Sequence, residues 1–104
     1  MLRVVRLVAS GLTSLTDLDV DGVEGVRAGV DELVSTLIEA SDGTWIVMGL
    51  ELHDSRLVVS ATTHSRSRTF GPSPTTERIL DGVATDHRWH AEGSTVGGTV
   101  VYEL

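Results

Sequence analysis

The chain has no cysteine, and its 104 residues include no Lys, no Asn and no Gln either. Without cysteine there is no disulfide framework, no thiolate zinc site and no Cys nucleophile, and nothing demands an oxidising compartment. The expected location is cytoplasmic. Without lysine, a P-loop phosphate clamp and Schiff-base chemistry are both excluded; all eight basic residues are Arg. Without asparagine, one common Mg²⁺-binding side chain is missing. Aromatic residues make up only 4% against 40% apolar overall, so the core has to be built from Val, Leu and Ile. Long apolar runs are also lacking, and nothing approaches the ~20 residues of a membrane span. In the first ten residues Arg3 and Arg6 interrupt the only apolar stretch that could serve a signal peptide.

What is present is acid. The net charge of −7 argues against nucleic acid and against an anionic membrane surface, since both are held through excess Lys and Arg. The acidity is concentrated between Asp17 and Asp42, where Asp17, Asp19, Asp21, Glu24, Asp31, Glu32, Glu39 and Asp42 face a single Arg27. Such a field steers a basic protein partner, although a solvated helix face has the same composition.

The length fits one domain over residues 1–104, with no repeat or low-complexity tract. Leu2, Val5, Val8, Leu12 and Leu15 recur every three or four residues and predict an amphipathic helix ending near Ser14. Asp21-Gly22-Val23-Glu24 is a capping box for a second helix, with Asp21 as the cap. Val23, Val26, Val30, Leu33, Val34, Leu37 and Ile38 form its apolar stripe, and Asp42-Gly43 ends it. Opposite that stripe, Gly25, Gly29, Glu32 and Thr36 fall within about 60° of one another at 100° per residue. Two glycines there imply a close neighbour, whether ligand, loop or helix. Alternation over Thr44–Leu52 and Leu57–Ala61 predicts an antiparallel hairpin, and Thr63–Ser73 reads as an exposed loop. Ser73 and Pro74 open a third helix with Ile79, Leu80 and Val83 on its buried side. Asp86–Glu92 and Thr95–Leu104 predict a last strand pair joined at Gly93-Ser94.

The stretch from Asp19 to Leu33, DVDGVEGVRAGVDEL, resembles the helix box of anti-sigma factors of the partner-switching type, actinobacterial members of the histidine-kinase-like ATPase superfamily. The resemblance implies an α/β, two-layer sandwich: a mostly antiparallel sheet covered by helices, in the Bergerat-type ATPase fold. It also implies truncation at the N-terminus, because the family's additional edge strand has no counterpart in a chain that opens with a helix. That would leave a sheet edge open for a homodimer. By the same resemblance Glu32 matches the glutamate that helps activate a nucleophile, and ATP and Mg²⁺ are the implied cofactors. Thr36 stands where the family has its Mg²⁺-binding Asn. Ala61 stands where the Asp that reads adenine belongs, and Gly97, Gly98 and Thr99 match the small residues that let phosphates approach. Arg66 and Arg68 lie where relatives keep a nucleotide lid.

Two functions stay open. One is a regulatory binding domain for a sigma factor or an anti-sigma-factor antagonist, using Asp21, Glu24, Arg66 and Arg68 as contacts and a degenerate nucleotide site. The other is an active ATP-dependent serine/threonine protein kinase acting on that antagonist, with Glu32 as the catalytic base. No metal site is expected from the four His. His87 and His90, three apart on a strand, point to opposite faces. Trp45 and Trp89 read as anchors of the core or sheet face.

Overall fold

A computed structural model describes residues 5–10, 20–43, 45–65 and 70–103. The elements follow the order β1 (Val5–Ser10), α1 (Val20–Ala40), β2 (Ile46–His53), β3 (Arg56–His64), α2 (Pro74–Val83), β4 (Asp86–Glu92) and β5 (Thr95–Glu103). They build one five-stranded sheet in the order β1-β2-β3-β5-β4. All pairings are antiparallel except β1 with β2, whose parallel register runs from Val5 opposite Ile46 to Ser10 opposite Glu51.

That parallel pair corrects the first expectation. Residues 5–10 form a strand and not a helix, and they pair with β2 as an edge strand, where the resemblance implies a missing one. The physical reason is that tertiary pairing outweighs local period. A run such as Val5-Arg6-Leu7-Val8, rich in β-branched residues, suits a parallel strand, whose faces need not alternate cleanly. Since β2 is hydrogen-bonded on both sides, the edge strand on this side of the sheet is β1. The expected helix end near Ser14 falls outside the described residues.

The parallel pair requires a long crossover, and α1 lies within it. The helix begins at Val20, so Asp21 belongs to its first turn and does not cap it from outside. Its end is tied down from several directions. Ser41 N donates to Leu37 O at 2.8 Å and Asp42 N to His64 O at 2.9 Å. Gly43 adopts a φ of 88°, a left-handed turn that glycine makes without strain. The hairpin of β2 and β3 turns at Asp54, in the left-handed region at φ 55°, where Asp is among the few non-glycine residues tolerated. Beyond it, β3 runs further than expected. Thr63 is fully buried and donates to the Trp45 carbonyl, and Ser65 is 4% exposed, so the segment read as an exposed loop from Thr63 starts inside the protein. As expected, Ser73 caps α2, its Oγ accepting from Thr76 N at 3.1 Å with Pro74 in the first turn. Gly93, at φ 62°, turns β4 into β5.

One face of the sheet carries both helices. Leu33 and Leu37 of α1 and Leu80 of α2 are fully buried against Ile46, Leu57, Val59, Ala61, Val96, Val100 and Tyr102. Each such Leu contributes about 1.5–3 kcal/mol relative to exposure. The buried arc of α1 is turned from the predicted stripe toward its glycines. Gly29 and Thr36 are buried while Ile38, assigned to the apolar stripe, is 50% exposed. No helix among the described residues is long and apolar enough to cross a membrane.

Candidate functional site

The glycine-bearing face of α1 meets the protein's own interior. At Gly29 a Cβ would stand 1.7 Å from the Tyr102 hydroxyl and 3.6 Å from Val100 Cγ1. Gly25, a turn earlier, looks toward the α2 end, with its notional Cβ 3.8 Å from the Val83 carbonyl oxygen. The close neighbour inferred from the glycines is therefore the sheet, through Tyr102. That phenol is 5% exposed, and its hydroxyl lies 3.2 Å from both the Gly25 and Val26 carbonyl oxygens, to either of which it can donate. Burial pushes its pKa up from 10.0 to about 12.

Glu32 is held by the helix that faces it. Thr76 Oγ1 donates to Glu32 Oε2 at 2.9 Å, and Thr76 is itself buried in the capped first turn of α2. The carboxylate thus sits near the positive end of α2 and fastens α1 to it. Thr36, one turn on, is 7% exposed, and the Ala61 methyl belongs to the hydrophobic core.

The paired glycines of β5 point to opposite faces, as neighbouring strand residues must. On the helix side, a Cβ at Gly98 would meet Leu33 Cδ1 at 2.7 Å and the Trp89 ring at 2.8 Å. On the outer side, a Cβ at Gly97 would meet His90 Cε1 at 2.5 Å and the Ala61 carbonyl oxygen at 2.6 Å. Thr99 shares the outer face with Gly97 and lies opposite Ser60 and Arg88. There it lines a shallow depression of about 440 Å³ with Arg56, Asp86 and Glu103. The candidate nucleotide residues consequently divide, with Glu32, Thr36, Ala61 and Gly98 on the helix side and Gly97 and Thr99 on the other.

These residues do not fit ATP with Mg²⁺. Where the resemblance implies an adenine-reading carboxylate stands the buried methyl of Ala61, where it implies a metal-binding carboxamide stands the buried hydroxyl of Thr36, and the space over Gly98 is filled by Leu33 and Trp89. Trp89 is an anchor, as expected. Its ring meets Phe70 edge-on with centroids 5.9 Å apart, and its buried Nε1 has no hydrogen-bond partner.

Of the expected partner contacts, Glu24 is exposed and lies 3.9 Å from Arg27, Asp21 falls in the first turn of α1, and Arg66 and Arg68 are outside the described residues. His87 and His90 do occupy opposite faces, paired with Val100 and Gly97. The spacing of the His residues alone does not reveal that Glu77 and Asp81, one turn apart on α2, close around the His87 ring. The E-x-x-x-D spacing followed by a strand His was the available signal.

No protein-family model and no curated protein sequence matches the chain. Solved structures do. Histidine kinase AdeS of Acinetobacter baumannii superposes with a TM-score of 0.65 at 10% identity, over 96% of this chain and 53% of that one. The histidine kinase domain of the blue-light-activated kinase EL346 of Erythrobacter litoralis gives 0.69 at 14% identity, over 97% and 52% respectively. The chain spans about half the length of these two structures. With helices on one face of a mostly antiparallel sheet, it has the histidine-kinase-like ATPase fold.

Proposed function

We propose that this chain is a regulatory protein-binding domain of the anti-sigma type, which holds a sigma factor or an anti-sigma-factor antagonist through the exposed face of α1. The observation that carries the proposal is the packing of Leu33 and Trp89 over Gly98. It closes the phosphate approach that a kinase of this fold would need and leaves the surface as the working part. Glu24, Asp31 and Glu39 supply negative charge along the exposed helix, and Ile38, 50% exposed, adds an apolar contact beside them. Acidic residues around one apolar side chain suit a basic partner with a complementary pocket.

Two measurements test this reading. Isothermal titration with ATP and Mg²⁺ is expected to give no binding. Affinity capture from the source cell's extract is expected to recover a sigma factor or an antagonist. ATP binding at tens of micromolar or tighter, abolished by Glu32→Ala, would replace the binding reading with the kinase one. Capture that yields neither partner class overturns the assignment.

A further inference from the structure

A second cluster stands apart from the nucleotide boxes, where α2 meets β4. Glu77 and Asp81 are four residues apart on α2 and so lie on one side of it. His87, second residue of β4, turns toward the helix layer in register with Val100. Its side chain is 13% exposed, with Nε2 2.5 Å from Glu77 Oε2 and Nδ1 3.8 Å from Asp81 Oδ1. The His87 backbone is held as well, its N–H donating to Asp86 Oδ1 at 2.9 Å. One ligand atom from each of Glu77, Asp81 and His87 can be chosen so that all lie within 4.8 Å of one another.

Charge makes this arrangement more than a surface acidic group. Two carboxylates share one pocket in a protein of net charge −7, and among the described residues neither forms an ion pair with an Arg. Like charges held together destabilise each other unless a cation intervenes. A mostly buried imidazole facing two carboxylates offers one nitrogen and two oxygen donors. Metal–nitrogen and metal–oxygen distances of about 2.0–2.2 Å place such donors roughly 3–3.5 Å apart in a tetrahedral shell. The Glu77–His87 pair has to open slightly and Asp81 has to swing inward. Asp81 is free to do so, its side chain being 71% exposed.

We propose that Glu77, Asp81 and His87 form a binding site for a divalent transition ion of the zinc class, with water completing the shell. The imidazole donor favours zinc, cobalt or nickel over magnesium or calcium, which take oxygen ligands. Bound there, the ion joins Glu77 in the first turn of α2 and Asp81 one turn later to His87 at the start of β4. The proposal does not depend on the function assigned above.

The test is titration of the metal-free protein with ZnCl₂ by calorimetry, with Co²⁺ absorption as the report of coordination. One ion per chain is expected, with micromolar or tighter affinity and a Zn²⁺-dependent rise in melting temperature. Losing a mere supporting partner costs a metal site about 10–100-fold, so His87→Gln and Asp81→Asn are each expected to weaken binding at least tenfold. The exposed Asp81 makes Asp81→Asn the variant that keeps its fold, and it decides the matter if His87→Gln does not. Absence of binding at 100 µM Zn²⁺, or binding unchanged in Asp81→Asn and Glu77→Gln, overturns the proposal. The second result would place the ion on His53, His64 or His90.

Discussion

The hydroxyl of Tyr102 stands where a side chain on Gly29 would have to go, 1.7 Å from the position of its missing Cβ. Glycine at 29 is thus required by the sheet and not by a ligand. Alanine normally gains about 1 kcal/mol over glycine inside a helix, whereas overpacking a core costs about 1–3 kcal/mol. With the contact this short, the steric term wins. Gly29→Ala is expected to lower stability by about 1–2 kcal/mol in urea unfolding. In a Tyr102→Phe background the nearest ring atom lies 3.0 Å away, so the same substitution is expected to cost much less. Equal costs in both backgrounds would refute the contact.

The same phenol sets an alkaline limit. Burial raises its pKa from 10.0 to about 12, so the folded protein prefers the neutral form more than the unfolded chain does. The contribution to stability is therefore fully present below pH 10 and is lost as pH climbs through about 12. The unfolding midpoint of the wild type is expected to fall faster between about pH 10 and 12 than that of Tyr102→Phe. Parallel curves would mean that the phenol ionises as freely in the folded protein as in the unfolded chain.

Glu32 and Thr76 supply a third prediction. Their 2.9 Å hydrogen bond joins α1 to the capped turn of α2, and a charged acceptor makes such a bond worth about 1.5–3 kcal/mol at most, less with partial exposure. Glu32→Ala and Thr76→Val are each expected to destabilise, and the double variant to lose less than the sum by at least about 0.5 kcal/mol. A coupling of zero in this double-mutant cycle would mean that Glu32 is free in solution, as a catalytic base would need to be.

The sequence carried the parts of this fold whose signals are local. Ser73 and Pro74 announce α2, Gly93 announces the last turn, and the alternation around His53-Asp54-Ser55-Arg56 announces the central hairpin, because caps and tight turns need particular residues. A strand in a parallel pair need not alternate, so the helical period of Val5 and Val8 is compatible with β1 once β2 lies beside it. The buried face of α1 departs from its apolar stripe for a related reason. Hydrophobicity marks Ile38 as core and Gly29 as outside, yet Tyr102 and Val100 fill the space that glycine leaves and draw that side of the helix onto the sheet. The Glu77, Asp81 and His87 cluster is legible only once α2 is laid against β4.

Ile38 tests the functional reading without disturbing the fold. It is half exposed on a helix whose buried side is already supplied by Leu33 and Leu37, and it shares its side of α1 with Arg27, Asp31 and Ser35, which are all exposed. Surface substitutions away from caps and cores usually change stability by less than about 0.5 kcal/mol, so Ile38→Asp is expected to unfold at nearly the wild-type denaturant concentration. An interface built on an apolar side chain among carboxylates loses its anchor in that variant, and buried anchors carry about 2 kcal/mol or more. Affinity for the captured partner is expected to drop by at least about tenfold, chiefly through faster dissociation. Raising salt should instead slow association, because the carboxylates around Ile38 act at long range. Surface plasmon resonance separates the two effects, and an Ile38→Asp variant that binds its partner with wild-type kinetics would remove α1 as the contact face.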